Sequence, residues 1–313
     1  MALRAGARRS ALPIALGRRG TLARDEALFG YALLLPAAVL ILVLVGIPFL
    51  NALWLSFHKK LLGATDAPWI GLQNYAVLVE DVVFWQAVKN TLVFTVGSIG
   101  SKLMIGLLIA LVLNEALPLR GLWRSIVMLP YAMPTLVSVL VWKWMYNDVA
   151  GVLNYLVTTA RLTDHQVLWL GDPAIAMPAV IAVNVWRGFP FFVITILAGL
   201  QTVPQELYDA AKVDGGGVWA RFAQVTLPGI LPVLAVTTLF SAILTFNDFS
   251  IIWILTQGGP GNATNVLATL TYKIAIPGLE LGKGVAVSVL MLPILVLMIV
   301  LLNRFISRRE ELA

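Results

Sequence analysis

The chain has 313 residues, of which 59% are hydrophobic and 12% are charged, and its formal net charge is +6. Soluble domains carry about a quarter charged residues, so this composition excludes a single water-soluble core and indicates an integral membrane protein. The sequence has no cysteine and only two histidines, which excludes disulfides, thiolate chemistry and a histidine-rich metal cluster.

The chain begins with an arginine-rich tail, residues 1–28. Its apolar piece at 11–16 is too short for a signal-peptide core and is interrupted by Pro13, so we expect no cleavage. We interpret the tail as cytosolic and disordered, with anionic lipid headgroups as its contact.

Apolar segments follow the tail, and each exceeds the roughly 20 residues that a helix needs to cross the hydrocarbon core. Period-2 alternation is absent, and a spanning segment must satisfy its backbone hydrogen bonds internally, so helices are predicted. The sequence therefore predicts an all-α membrane protein with six transmembrane helices in a domain of residues 29–307, the spans lying at about 29–57, 87–113, 122–146, 174–200, 229–256 and 285–307.

Orientation follows from the lysines and arginines outside the spans, most of which fall on the side that carries the N-terminus. The positive-inside rule places that side in the cytosol. We therefore expect both termini, including residues 308–313, and the connection between the fourth and fifth spans to be cytosolic. The positive net charge is a topology signal, and no nucleic-acid partner is expected.

That cytosolic connection, residues 202–232, has a helical pattern where a simple turn would suffice. Thr202 and Gln205 have the spacing of a capping box. The glycines at 215–217 are expected to end this helix, and a second short helix is expected to follow until Pro228 ends it. A loop this ordered suggests a docking partner.

Several spans carry polar residues at mid-depth, where a lipid-facing charge costs at least ~2.5 kcal/mol. Arg187 and Asp248 are therefore expected to face a water-filled path or each other. A polar path through a bundle of spanning helices is typical of transport. Pro134 is compatible with the ordinary frequency of proline in membrane helices, and Lys102 and Lys143 with side chains that reach towards the membrane surface.

Neither a catalytic constellation nor a phosphate-binding loop of the form G-x-x-x-x-G-K-[ST] occurs in the sequence. We therefore expect a transport subunit that is not an enzyme and holds no cofactor. The chain is expected to form the transport path, and the energy for transport is expected to come from a partner protein.

The cytosolic connection resembles the EAA loop of membrane subunits of binding-protein-dependent ABC importers. Asp209-Ala210-Ala211, then Gly215, then Leu227-Pro228 follow the family spacing, with Asp209 where the family has glutamate. The resemblance implies a coupling loop at 202–228 that docks on a partner ATPase; the alternative is that Asp209 only satisfies its own loop. The implied coupling positions are Glu206, Asp209, Ala210, Ala211, Asp214, Gly215, Leu227 and Pro228.

Other stretches are similar to the carbohydrate branch of that family, of the maltose and glycerol-phosphate type; they include Gly71-Leu72-Gln73-Asn74-Tyr75, Trp186-Arg187-Gly188-Phe189-Pro190 and Asn247-Asp248-Phe249. The resemblance implies the type I ABC importer permease fold in a cytoplasmic (inner) membrane, with cytosolic coupling helices. It also implies partners: a second homologous permease, two ATPase subunits, an extracytoplasmic binding protein and a sugar-like solute.

The same resemblance implies a substrate path on three spans. Arg187 either recognises an anionic sugar or phosphate there or neutralises Asp248, and the second is favoured. The implied positions are Tyr131, Thr135, Asn184, Arg187, Gly188, Phe191, Ser241, Thr245 and Asp248.

Two other functions are compatible with parts of the sequence. An ion- or proton-coupled carrier could use Arg187 and Asp248, but it does not need the ordered cytosolic loop. A purely structural membrane scaffold leaves the charges inside the spans unexplained.

Overall fold

The structure, a computed structural model, describes the backbone of residues 19–310 and the side chains of residues 27–304. Most of the predicted tail 1–28 lies outside the described residues. Its last part is helical, not disordered, because the first helix begins at Arg19. The end of the predicted C-terminal segment 308–313 also lies outside them.

The first apolar segment is one helical stretch with a wider turn in its middle. It consists of α1 (Arg19–Ile41), a π-helical turn (Leu42–Gly46) and α2 (Ile47–Ser56). Its part Ala27–Ser56 is long and apolar enough to cross a membrane. Up to Ala52 this helix forms a unit of its own, and the remainder of the chain forms the second unit.

The second span follows a short helix on the predicted outer side. α3 (Gln73–Glu80) precedes α4 (Val82–Asn114), which is longer than the predicted span because its N-terminus is capped. The carboxylate of Asp81 accepts a hydrogen bond from the amide of Val83 at 2.8 Å.

The third span, predicted at about 122–146, is bent in its middle. α5 (Arg120–Ala132) and α6 (Thr135–Met145) meet at an angle of 88°. Pro134 lacks an amide proton and drives the preceding Met133 into an extended conformation, with ψ of 137°. The proline that the sequence left ambiguous is therefore the hinge of this span.

The fourth span is unbroken although Pro178 and Pro190 lie in its interior. The short α7 (Val152–Thr159) precedes α8 (Pro173–Leu200). The N-cap of α8 is Asp172, whose carboxylate accepts a hydrogen bond from the amide of Ala174 at 2.8 Å. Pro173 lies in the first turn, where a missing amide proton costs nothing.

The polar connection after α8 forms two short helices that lead directly into the fifth span. α9 (Gln205–Val213) is followed by a glycine turn, α10 (Val218–Arg221), a π-helical turn (Phe222–Thr226) and α11 (Leu227–Phe246). Gly215 has a φ of +79°, which glycine adopts without strain, so the glycine run ends α9 as predicted.

Two local predictions in this connection are wrong. The hydroxyl of Thr202 donates to the carbonyl of Gly199 at 2.8 Å, and Pro204 is the N-cap of α9, so no capping box forms. Thr202 closes the end of α8 instead. Pro228 does not end a helix, because it lies in the first turn of α11 directly after the π-helical turn.

The predicted fifth span at 229–256 is also divided. Three residues separate the end of α11 from the short α12 (Ser250–Leu255), and α13 (Leu267–Ala275) follows in the outer connection. The last span is α14 (Leu281–Glu310). By length and composition, the described residues thus contain five helices that can cross a membrane, or six spans when the bent α5–α6 pair is counted as one.

The packing centre of the second unit is the contact between α4 and α8. Gly106 permits it, because a Cβ at this position would lie 2.5 Å from the Cβ of Phe192. Fully buried apolar side chains continue the core from α8 to α11 and α12; they include Val180, Val183, Ile196, Ile230, Ile251 and Ile252. The prediction of an all-α membrane fold with six spans is confirmed.

Candidate functional site

A cavity of about 120 Å³ lies where α4, α5, α8 and α11 come together. One side of it is polar and charged, and the other is aromatic. Its lining residues are Lys102, Tyr131, Asn184, Arg187, Gly188, Phe191, Phe240, Ser241, Leu244, Thr245 and Asp248.

All but one of the predicted substrate-path residues line this cavity. The exception is Thr135, which is the first residue of α6, beyond the bend of the third span. Periodicity brings the others together: Asn184, Arg187, Gly188 and Phe191 repeat at three- and four-residue intervals on one face of α8, as do Ser241, Thr245 and Asp248 along α11 and its end.

Asp248 is held in place by neutral donors. One carboxylate oxygen accepts a hydrogen bond from the side-chain amide of Asn184 at 3.0 Å. The other accepts from the backbone amide of Ile251 at 3.2 Å, in the first turn of α12. The carboxylate therefore joins α8 to the break after α11, and it stabilises the backbone at that break.

Arg187 does not form the expected ion pair with Asp248. The ion pairs of the described residues are Lys212–Asp209, in the loop after α8, and Lys283–Glu280, at the start of α14. The Nε atom of Arg187 is buried and has no hydrogen-bond partner in this part of the chain. Arg187 and Asp248 line the same cavity without a direct ion pair, and neutralisation of Asp248 by Arg187 across the cavity stays a prediction.

Lys102 points into the cavity and does not reach towards the membrane surface. Its side chain is only 5% exposed, and its ammonium group donates to the hydroxyl of Thr245 at 3.1 Å. Its alkyl chain lies over Gly188, where a Cβ would be 2.5 Å from Cε of the lysine. Lys102 is absent from the predicted substrate-path residues.

A signal for Lys102 was present in the sequence. Polar residues recur on one face of α4 at positions 91, 95, 98 and 102, all of which are buried. A polar stripe at helical spacing indicates a face turned away from lipid. Lys143 differs, because it lies in the last turn of α6 and donates to the carbonyl of Ile254 at 2.7 Å.

The aromatic side of the cavity consists of three stacked or tilted rings. The ring centroids of Tyr131 and Phe191 are 6.3 Å apart and nearly parallel, and those of Phe191 and Phe240 are 5.7 Å apart. Flat apolar surfaces opposite hydrogen-bonding groups are suited to a ligand with an apolar face and several hydroxyls.

The second region of interest is the surface formed by α9 and α10. Large apolar side chains are exposed there: Val213 is 87% exposed and Trp219 is 83% exposed. A groove of about 790 Å³ runs beside it, between these helices and the end of α4. Exposed apolar groups clustered next to a groove are typical of a protein-binding surface.

Asp209 lies on the exposed face of α9 and bonds within its own helix. Its carboxylate accepts from the ammonium of Lys212 at 3.0 Å and from the amide of Gln205 at 3.4 Å. These hydrogen bonds, chiefly the one from Lys212, lower the pKa of the Asp209 carboxyl. Both interpretations of Asp209 remain compatible with this geometry, since the carboxylate is still open to solvent.

The remaining predicted coupling residues occupy the same loop. Glu206 is exposed in the first turn of α9, Ala210 and Ala211 follow Asp209, and Asp214 is the C-cap of that helix. Leu227 and Pro228 begin α11. The hydroxyls of Tyr208 and Thr226 are 3.1 Å apart, so α9 is tied to the base of the fifth span.

Comparisons with known proteins agree with this architecture. Residues 102–311 match the family model described as binding-protein-dependent transport system inner membrane component. The trehalose/maltose transport system permease protein MalF of Thermococcus litoralis is 37% identical over 265 residues, which are 85% of this chain and 89% of that protein. The sulfoquinovosyl glycerol transport system permease protein SmoG of Agrobacterium fabrum is 33% identical over 267 residues, 85% of this chain and 86% of the relative.

Among solved structures, a bacterial ABC transporter involved in the import of the acidic polysaccharide alginate is similar, with a TM-score of 0.78 and 25% identity. The match covers 92% of this chain and 98% of that one. This chain has the fold of a type I ABC importer permease, as predicted. The chain belongs to the family of binding-protein-dependent transport system inner membrane components.

Proposed function

We propose that the chain is the membrane-spanning subunit of an ATP-driven importer of a sugar or sugar-like solute, and that the cavity between α4, α5, α8 and α11 is part of the solute path. The observation that carries this proposal is the cavity itself. Charged and amide groups lie at mid-span beside aromatic faces, and such groups are costly in a membrane unless they serve a polar ligand.

The names of similar proteins support the same class of solute. These relatives are named for trehalose and maltose, for sulfoquinovosyl glycerol and for alginate, all of which are carbohydrates or carbohydrate derivatives. Hydroxyl-rich rings suit a cavity with amide, hydroxyl and aromatic groups.

The proposed partners are a second homologous permease, two ATPase subunits and an extracytoplasmic binding protein. The ATPase docks on the exposed surface of α9 and α10, with both termini and this surface in the cytosol. Movement of the ATPase is transmitted to the fifth span, since the bond between Tyr208 and Thr226 joins α9 to the base of α11. Alternating access then follows from rigid-body movement of the attached spans.

The test is reconstitution in proteoliposomes with the ATPase, permease and binding protein encoded beside this chain. We expect the binding protein to stimulate ATP hydrolysis and ATP to drive uptake of a labelled sugar. Uptake driven by a proton gradient without ATP would contradict the proposal and favour the carrier alternative.

A matched pair of substitutions tests the docking surface. Val213→Asp places a charge on α9, and Leu162→Asp makes the same change at an exposed apolar residue of the outer connection, 78% exposed. Val213→Asp is expected to reduce co-purification of the ATPase, whereas Leu162→Asp is expected to leave it unchanged. Equal co-purification of both variants would show that the ATPase docks elsewhere.

A further inference from the structure

The cavity contains two cationic side chains and one carboxylate: Lys102, Arg187 and Asp248. Asp248 already accepts hydrogen bonds from the neutral groups of Asn184 and Ile251. Neither cation forms an ion pair with it within 4.0 Å in the part of the chain that the structure describes. The cavity therefore has an excess of positive charge.

The hydrogen-bond partner of Lys102 is neutral, and Asp248 is the carboxylate that lines the same cavity and is shared with Arg187. Its ammonium group donates to the Thr245 hydroxyl at 3.1 Å, and its alkyl chain is fixed against Gly188. The lysine thus contributes a fixed positive potential to one wall of the cavity. One carboxylate does not balance two buried cations, and a bound anion would offset the remaining positive charge.

Arg187 is the group best placed to take that anion. No hydrogen bond or ion pair to it is present among the described residues, and its Nε atom is buried. A guanidinium group has five donors in a planar fork that matches carboxylate, sulfate and phosphate oxygens. Arg187 lines the cavity together with Phe191 and Gly188. The ring of a bound sugar can therefore pack against Phe191 while the acidic group of the sugar binds the guanidinium.

We propose that the solute carried through this cavity bears an anionic group and that Arg187 binds it, with Lys102 as the second cation. The chemical class is an acidic sugar, such as a uronate or a sugar phosphate. This inference rests on the proposed function and narrows it, because an importer of neutral sugars would satisfy the proposed function and not the inference.

Ligand-observed NMR by saturation transfer tests the inference on the complex of this chain with its partner permease and ATPase, without the binding protein. The ligands are sodium galacturonate and glucose 6-phosphate, each compared with its neutral parent, galactose or glucose, and sodium sulfate is added as a competitor. We expect saturation transfer to at least one acidic sugar and much less to its neutral parent. Sulfate at the same concentration is expected to compete weakly.

Substitutions connect that signal to the cavity. Arg187→Gln is expected to weaken binding of the acidic sugar about tenfold or more, which is the size expected for a lost charge-assisted hydrogen bond. Arg187→Lys should retain part of the affinity, and Lys102→Met should weaken it less. Arg161→Gln, which removes the same charge at an exposed residue of the outer connection, is the matched control.

Several outcomes would overturn the inference. Equal saturation transfer to the neutral and acidic sugars would mean that the counter-charge comes from another source, such as a carboxylate of the partner permease. Full competition by sulfate would mean an anion site without sugar selectivity. If Arg187→Gln bound the acidic sugar as tightly as the unchanged protein, Arg187 would not be part of the binding site. ATP-driven uptake of a neutral sugar would contradict the inference and leave the proposed function intact.

Discussion

Lys102 and Gly188 occupy complementary positions on two packed spans: the lysine side chain fills the space that a side chain at residue 188 would need. A Cβ on residue 188 would lie 2.5 Å from Cε and 3.0 Å from Nζ of Lys102. This contact places the ammonium group against Thr245 on the fifth span. One glycine thereby controls where a buried cation lies in the cavity.

The first prediction concerns that contact. Gly188→Ala displaces the far end of a flexible side chain, so we expect a small loss of stability, towards the lower end of the roughly 1–3 kcal/mol typical of overpacking. Solute uptake should fall strongly, because the Lys102 ammonium leaves Thr245. Thermal unfolding of the purified complex and uptake in proteoliposomes measure the two effects.

A double variant provides the control for this prediction. In a Lys102→Met background, Gly188→Ala should cause little further loss of uptake, because residues in contact give non-additive effects. Additive losses would show that Gly188 acts independently of Lys102.

The second prediction concerns the close approach of α4 and α8. Gly106→Ala brings a Cβ to 2.5 Å from the Cβ of Phe192 and 3.3 Å from its backbone carbonyl carbon. Backbone cannot move aside as a flexible side chain does, so we expect a loss of about 1–3 kcal/mol and a lower melting temperature. Gly100→Ala on the same helix is the control, because no atom lies within 4 Å of its Cβ. Equal melting temperatures for the two variants would contradict the predicted packing.

The third prediction concerns the turn between α9 and α10. Gly215→Val is expected to abolish uptake while membrane insertion is retained, because a β-branched residue is strained at a φ of +79° and the turn would reorient α9. Binding-protein-stimulated ATP hydrolysis and membrane fractionation measure these two properties.

Its control lies two residues further along the chain. Gly217→Ala should be tolerated, since its φ is −67° and its Cβ would meet no atom within 4 Å. Normal uptake by Gly215→Val would count against a role of this turn in coupling.

The fourth prediction concerns the protonation of Asp209. Hydrogen bonds from Lys212 and then from Gln205 lower the pKa of its carboxyl in the folded protein. The stabilisation from these bonds is therefore present above the ordinary aspartate pKa and is lost as the pH falls through the lowered value. Coupling should not change over the neutral pH range on account of this group.

Lys212→Met is expected to raise the pKa of the Asp209 carboxyl towards its ordinary value, as measured by the pH dependence of its carboxyl NMR signal. Asp209→Glu should retain coupling, because it keeps the charge that the family pattern has at this position. Asp209→Asn should weaken coupling if the carboxylate binds the ATPase. Unchanged stimulation of ATP hydrolysis in that variant would favour the alternative, in which Asp209 only forms hydrogen bonds within its own helix.

The sequence by itself determined the membrane class, the number of spans and the family. These properties depend on local quantities: apolar run length, the distribution of lysine and arginine, and the fixed spacing from Asp209 to Pro228. The gathering of the path residues was also predictable, because helical periodicity places residues at intervals of three and four on one face.

Only the tertiary structure decided which groups on those faces meet. Asp248 bonds Asn184 and the amide of Ile251, which the break after α11 leaves free, and the described residues show no direct ion pair between Asp248 and Arg187. Lys102 turns inward because Gly188, 86 positions away in the chain, leaves room for it. Periodicity assigns a residue to a face, but its partner depends on how two helices distant in sequence are packed, and that is a property of the whole fold.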